Sequence, residues 1–171
     1  MFCLQLSILQ PPIPASRPRF SRWGGVHYGK RYTQYRKDAP LAIENAIKEA
    51  KAEGSLPIKG AVVIAVIFEV KKPKTTKNKY PHPDLDNYIK AIYDVLQANS
   101  VIEDDRNIVA SVEKKQWTTQ TPRTHVLIQT VPSSSTSLAH HVNLATHWLD
   151  TQTIMDTALA VDTTNNKQEK K

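Results

Sequence analysis

Residues 61–70 read AVVIAVIFEV, an almost unbroken apolar run dominated by Val and Ile. β-Branched side chains pack well on a pleated surface and lose χ1 freedom in a helix, so a run this short predicts a strand. Because the run lacks polar alternation, neither face is set aside for water. The strand is therefore expected at the centre of a sheet covered on both sides.

The other elements follow on either side of it. KKPKTTKNKYPHP (71–83) is charged and broken by prolines, as a loop should be. From Leu85 to about Ala98, the positions of Leu85, Ile89, Ile92, Tyr93 and Leu96 give a helix with one apolar face. DDRNIVASVEKKQW (104–117) and THVLIQTV (124–131) supply two further strands, the first alternating through Ile108, Ala110 and Val112. Upstream, FCLQLSILQ (2–10) alternates with Phe2, Leu4, Leu6 and Ile8 on one face. DAPLAIENAIKEAKAEG (38–54) has Asp38 near a cap, Pro40 near the first turn, a stripe of Ile43, Ala46, Ile47 and Ala50, and Gly54 as a stop, which predicts an amphipathic helix. Between these two lies IPASRPRFSRWGGVHYGKRYTQYRKD (13–38), without sustained period, read as a long functional loop. The expected order is β-α-β-α-β-β, an α+β fold with two helices packed on a mixed sheet.

The 171 residues suffice for one domain with a real core. Residues 1–131 are assigned to that domain. After Pro132, SSSTS (133–137) reads as a linker, followed by a tail to residue 171 with the makings of a short helix and no assigned role. On that tail, His140, His141 and His147 are read as a polar helix face. The only cysteine, Cys3, excludes an intramolecular disulfide and is expected to be buried in its alternating strand. The N-terminal MFCLQLSILQPP has no basic leader, and no run approaches the roughly 18 apolar residues that span a bilayer. A soluble, cytoplasmic chain is expected. The positive excess behind the net charge of +7 lies in the first 132 residues, which carry 20 basic and 12 acidic side chains, since 133–171 hold three Lys against Asp150, Asp156, Asp162 and Glu169. Such a balance favours an anionic partner, above all nucleic acid.

Asp84 and Asp86 stand at the entrance of the second helix, Lys90 follows one turn later, and Asp104 and Asp105 precede the next strand. Each has a plain explanation. Asp caps helices and favours the positive end of the helix dipole, contributing about 1 kcal/mol. Asp86, Lys90 and Asp94 could form a ladder of charges four residues apart, and EDDRN could be a turn. Together, however, these acids exceed what capping requires, and if they converge their repulsion calls for a cation. Carboxylates are hard ligands for Mg²⁺ or Mn²⁺, the usual ions of phosphodiester chemistry. Lys90 could then neutralise charge developing on a phosphate or orient water. On these grounds alone, caps and ligands both remain open.

PDLDNYIKAIYDVL (83–96) followed by ANSVIEDDRNI (98–108) resembles the signature of the RusA family of Holliday junction endodeoxyribonucleases, commonly carried by phages and prophages. The shared pattern is Asp-x-Asp-Asn-x-x-Lys, an Asp four residues after the Lys, a short gap and Asp-Asp. The likeness extends over about residues 1–131, including PPIPASRPRF after the first strand. It implies that Asp84, Asp86 and Asp105 are the metal-binding and catalytic acids and that Lys90 is the catalytic lysine. Asn87 and Asp94 match as supporting residues, and Asp104 as a residue that positions the turn. The resemblance further implies Mg²⁺ (or Mn²⁺) as cofactor, a four-way DNA junction as substrate, and a homodimer, which also fits the need to cut two strands. A bacterial host cytoplasm, with a phage or prophage gene, is the expected setting. The basic side chains Arg17, Arg19 and Arg22 of the first loop, and Lys71, Lys72, Lys74, Lys77 and Lys79 just ahead of the acids, are the expected DNA contacts. Two other readings stand beside resolution of junctions: a catalytically weak junction-binding protein, and a metal-dependent nuclease for other branched DNA such as flaps.

Overall fold

The computed structural model describes residues 2–52, 56–132 and 138–152. In chain order the elements are β1 (Cys3–Ile8), a small hairpin of β2 (Arg19–Phe20) and β3 (Val26–His27), α1 (Lys30–Glu49), β4 (Val62–Lys71), α2 (Leu85–Ala98), β5 (Ile108–Thr118) and β6 (Arg123–Thr130). A further helix, α3, covers residues 138–152. The main sheet has the order β1-β6-β4-β5, with β4 parallel to β5 and the other pairs antiparallel. It is the mixed α+β arrangement expected. Joining the parallel pair requires a crossover, and α2 lies in it.

β4 is interior, and Val62 to Glu69 are all buried, as the unbroken apolar run requires. Its two faces feed separate cores. On one, Val62, Ile64, Val66 and Phe68 meet Leu4, Leu6 and Ile8 of β1, Val126 and Ile128 of β6, and the apolar sides of α1 and α2. Ile92 and Leu96 of α2 are fully buried there, each stabilising by about 1.5–3 kcal/mol relative to exposure. On the other face, Val63, Ala65 and Leu127 pack against Ala145 of α3, flanked by Leu138, Val142 and Trp148. The tail segment after Pro132 thus contributes a helix that covers the second face of the sheet. The linker read at 133–137 lies outside the described residues.

This second face also buries a charge. Glu69, 4% exposed, accepts from Gln116 Nε2 (3.2 Å) and faces Arg123 Nε (3.4 Å) and His125 Nε2 (3.7 Å). Burial alone would raise its pKa, but hydrogen bonding and the charges of His125 and Arg123 outweigh burial and lower it.

Several expectations need correction. α1 begins at Lys30, eight residues ahead of Asp38, and Pro40 sits inside it. The early start is favoured because it carries Tyr32 and Tyr35 onto the buried stripe with Ala39, Ile43 and Ala46; tertiary burial outweighs a cap signal and a proline. The helix ends at Glu49, before the expected stop at Gly54, which lies outside the described residues. Lys51 adopts the left-handed conformation (φ 52°), with Lys51 N–H bonded to Lys48 O and Ala52 N–H to Ile47 O. α2 closes the same way on Ser100 (φ 55°), so neither stop needed a glycine. The long loop contains the β2–β3 hairpin. In β5, an irregularity opposite Val62 and Val63 sends Ile108 to the helix side and Ala110 and Val112 to the α3 side, so the three do not share a face. Cys3 is exposed, because it alternates with the buried Leu4, and His141 is buried rather than part of a polar face. Among the described residues no helix is long and apolar enough to cross a membrane.

Candidate active site

α2 starts where PHPD leaves an extended path: Asp84, the N-cap residue, has φ −62° and ψ 155°, and its side chain makes no capping bond. Asp86 lies in the first turn and accepts from Asn87 Nδ2 (3.1 Å). Both acids are exposed. The backbone leading to them is held firmly. Tyr88 Oη donates to His82 O (2.8 Å), Lys115 Nζ to Pro83 O (2.6 Å) and Trp117 Nε1 to Asn78 O (3.0 Å). Lys115 and Trp117 were not singled out in the sequence. The available signal was the alternation Ser111, Glu113, Lys115, Trp117, which puts them on the helix side of β5.

The second acidic pair follows α2 through buried Val101 and Ile102, where Ile102 forms a bridge with Ile58. Asp104 caps a one-turn 3-10 helix, Asp105–Asn107, and accepts from Arg106 N (2.9 Å), Nε (3.0 Å) and Nη2 (2.8 Å). These bonds from Arg106 pull the Asp104 carboxyl down to about 2. Asp104 is thereby committed to the turn, and Asp105 is the acid presented beside it.

Lys90 donates to Asp94 Oδ1 (2.5 Å), whose other oxygen accepts from Tyr32 Oη of α1 (2.7 Å). Asp94 thus links the two helices and fixes the lysine. The hydrogen bond to Asp94 raises the Lys90 pKa, and the negative charges of Asp94 and Asp105 add to it. The ladder through Asp86 does not form. Beside Lys90 opens a cleft of about 730 Å³, walled by Ala15, Arg17, Tyr28, Tyr32, Asn87 and Asp94 among others. The first loop is tied to this wall, since Ala15 N donates to Asn87 O (2.8 Å).

Asp84 and Asp86 therefore share one helix entrance, and Asp105 lies close enough to influence Lys90. Among the described residues none of the three is in an ion pair, the local cations being engaged by Asp94 and Asp104. Carboxylates of this kind, Asp84 and Asp86 exposed and Asp105 half-buried, suit a hard divalent cation in donor chemistry. As placed, however, no three acidic, His or Cys side chains among the described residues form a group that could hold a metal ion.

The basic residues surround this corner unevenly. Arg17 lines the cleft, while Arg19 and Arg22 are exposed on the hairpin. Lys72, Lys74, Lys77 and Lys79 are exposed along the loop before Asp84. Lys71 is turned away to brace the β5–β6 connection, donating to Thr119 O (2.8 Å) and Gln120 O (3.3 Å).

A family model described as Endodeoxyribonuclease RusA matches residues 10–129. No curated protein matches the chain. Among solved structures, a chain from "Helical Model of TubZ-Bt four-stranded filament" aligns at 8% identity and a TM-score of 0.38, over 94% of this chain and 31% of that one. This chain spans about a third of the filament protein, and the likeness is too slight to bear on fold or activity.

Proposed function

The chain belongs to the RusA endodeoxyribonuclease family, and from that premise we propose that it resolves four-way DNA junctions as a Mg²⁺-dependent homodimer, in recombination and repair. The observation that supports the reading is Lys90 held by Asp94, one turn after the helix entrance that carries Asp84 and Asp86 and within the electrostatic reach of Asp105. In this reading Asp84, Asp86 and Asp105 would hold the cation together, Asp84 and Asp86 being free to reorient on the surface. When bound, Mg²⁺ (Mn²⁺ in its place) would supply Lewis-acid and water-activating chemistry. The chain's own residues do the rest. Lys90, kept protonated by its acidic neighbours, offsets charge on the phosphate as water attacks in line, leaving 5′-phosphate and 3′-hydroxyl ends. Arg17 and Lys72, Lys74, Lys77 and Lys79 of the loop before Asp84 draw the DNA backbone to an otherwise acidic site.

Two symmetric cuts need two such corners, which a two-fold dimer provides. The soluble interior of a bacterial host, with the gene on a phage or prophage, is the setting we propose.

The test is cleavage of junctions, flaps and plain duplex side by side, with Asp86→Asn as the control. Junction cutting by the wild type should fall at least about a hundredfold in the variant, while binding persists. Equal cutting of plain duplex would defeat the reading.

A further inference from the structure

The β2–β3 hairpin carries the most exposed aromatic side chains: Trp23 at 93% and Phe20 at 80%, with Val26 at 53%. Phe20 and Val26 are register partners across the hairpin, and Trp23 lies in the turn between them. This turn is well tied. Ser21 N donates to Gly25 O (2.7 Å) and Gly24 N to Ser21 O (3.1 Å), while Ser21 Oγ accepts from Trp23 N (3.1 Å) and Gly25 N (3.3 Å). Gly24 supplies the left-handed residue (φ 84°) that such a turn needs. The base is closed by Gly29 N donating to Ser16 Oγ (2.7 Å), and the Ala15–Asn87 bond fastens it to α2. The indole is thus presented on a braced turn whose feet, Arg17 and Tyr28, wall the same cleft as Lys90.

What an exposed aromatic tip meets is decided by the charges around it. Arg17, Arg19 and Arg22 flank it, and the chain has no acidic residue before Asp38. Cationic side chains interleaved with an exposed π-face match a polyanion that offers unstacked rings. Duplex DNA hides its base faces, whereas a branch point leaves bases with a missing neighbour. We infer that Trp23, with Phe20 beside it, is a stacking finger for a branch-point base, the arginines holding the adjoining phosphates. The inference rests on the branched-DNA reading above and adds to it a specificity element. Because the feet of the finger, Arg17 and Tyr28, wall the cleft beside Lys90, its grip on the branch point sets which phosphate reaches the acids.

The test uses full-length protein without divalent metal and a four-way junction carrying 2-aminopurine either at the branch point or within an arm. Wild-type protein should change the fluorescence of the branch-point probe only. Trp23→Ala should lose that change and about tenfold of the preference for junction over duplex, with the salt slope unchanged. Trp23→Phe should restore most of both. Equal weakening on junction and duplex, or no weakening, would overturn the finger. So would a fall in sedimentation mass, which would make the tip a contact between copies of the chain. Wild-type protein that binds junction and duplex alike would sink the branched-DNA reading itself, and the finger with it.

Discussion

Asp94 shows how much a single side chain can organise. It accepts from Lys90 and from Tyr32 through different oxygens, so one carboxylate sets both the position and the charge of the lysine. Asp94→Asn should lower junction cleavage by about ten- to a hundredfold through misplacement of that amine. It should also move the alkaline limb of the pH–rate profile to lower pH. The sign follows from the bond to Asp94, which raises the Lys90 pKa; weakening it lets the proton leave sooner. Tyr32→Phe, which removes one bond and no charge, should reduce rate with little movement of that limb. At this same scale the sequence displays the aspartates, but not what each of them bonds. Asp104 and Asp105 are adjacent and chemically alike, and only the position of Arg106 commits the first to the turn.

Among the elements, α1 was the one misjudged at its start. Local signals around Asp38 and Pro40 describe a good helix entrance, yet the helix begins at Lys30 because two tyrosines there reach the core. Pro40 is therefore tolerated rather than favoured, and it removes the N–H that would bond one turn back. Pro40→Ala, at an exposed position, should stabilise the protein by about 1–3 kcal/mol, read as a rise in the midpoint of urea unfolding. β4 and α2, in contrast, fall where their patterns put them. A continuous apolar run and a clean 3.6-residue stripe each leave a single way to bury their surface. The sheet carries its own charge test. Glu69 is lowered from its ordinary value of 4.5, so it contributes stability above that pH and loses it as pH falls through the lowered folded value. Glu69→Gln should cost about 1–3 kcal/mol at pH 7, and the gap from wild type should close on acidification below 4.5.

Over the whole molecule, the sheet separates two kinds of work. The candidate active site and its cleft lie on the α1–α2 side, while α3 covers the other. Ala145→Arg would force a charge into a fully buried position under α3. It should cost at least about 2 kcal/mol and raise the binding of an apolar dye to the uncovered Val63–Ala65 face. The cleavage proposed above should survive at permissive temperature, because Asp84 and Asp86 sit at the start of α2 on the opposite side. Loss of cleavage in a variant that remains folded would show that α3 supports the site.

The sequence by itself determined the α+β class, the central strand and the helix that carries Asp84, Asp86 and Lys90, because each rests on a pattern local to one stretch of chain. Only the tertiary structure decided what each acid faces, that Lys115 and Trp117 hold the approach to Asp84, that Tyr32 reaches Asp94 from 62 residues away, and that Trp23 is left in the open. Those depend on which surfaces meet across the fold. A hydrogen bond between distant residues has no period for the sequence to display.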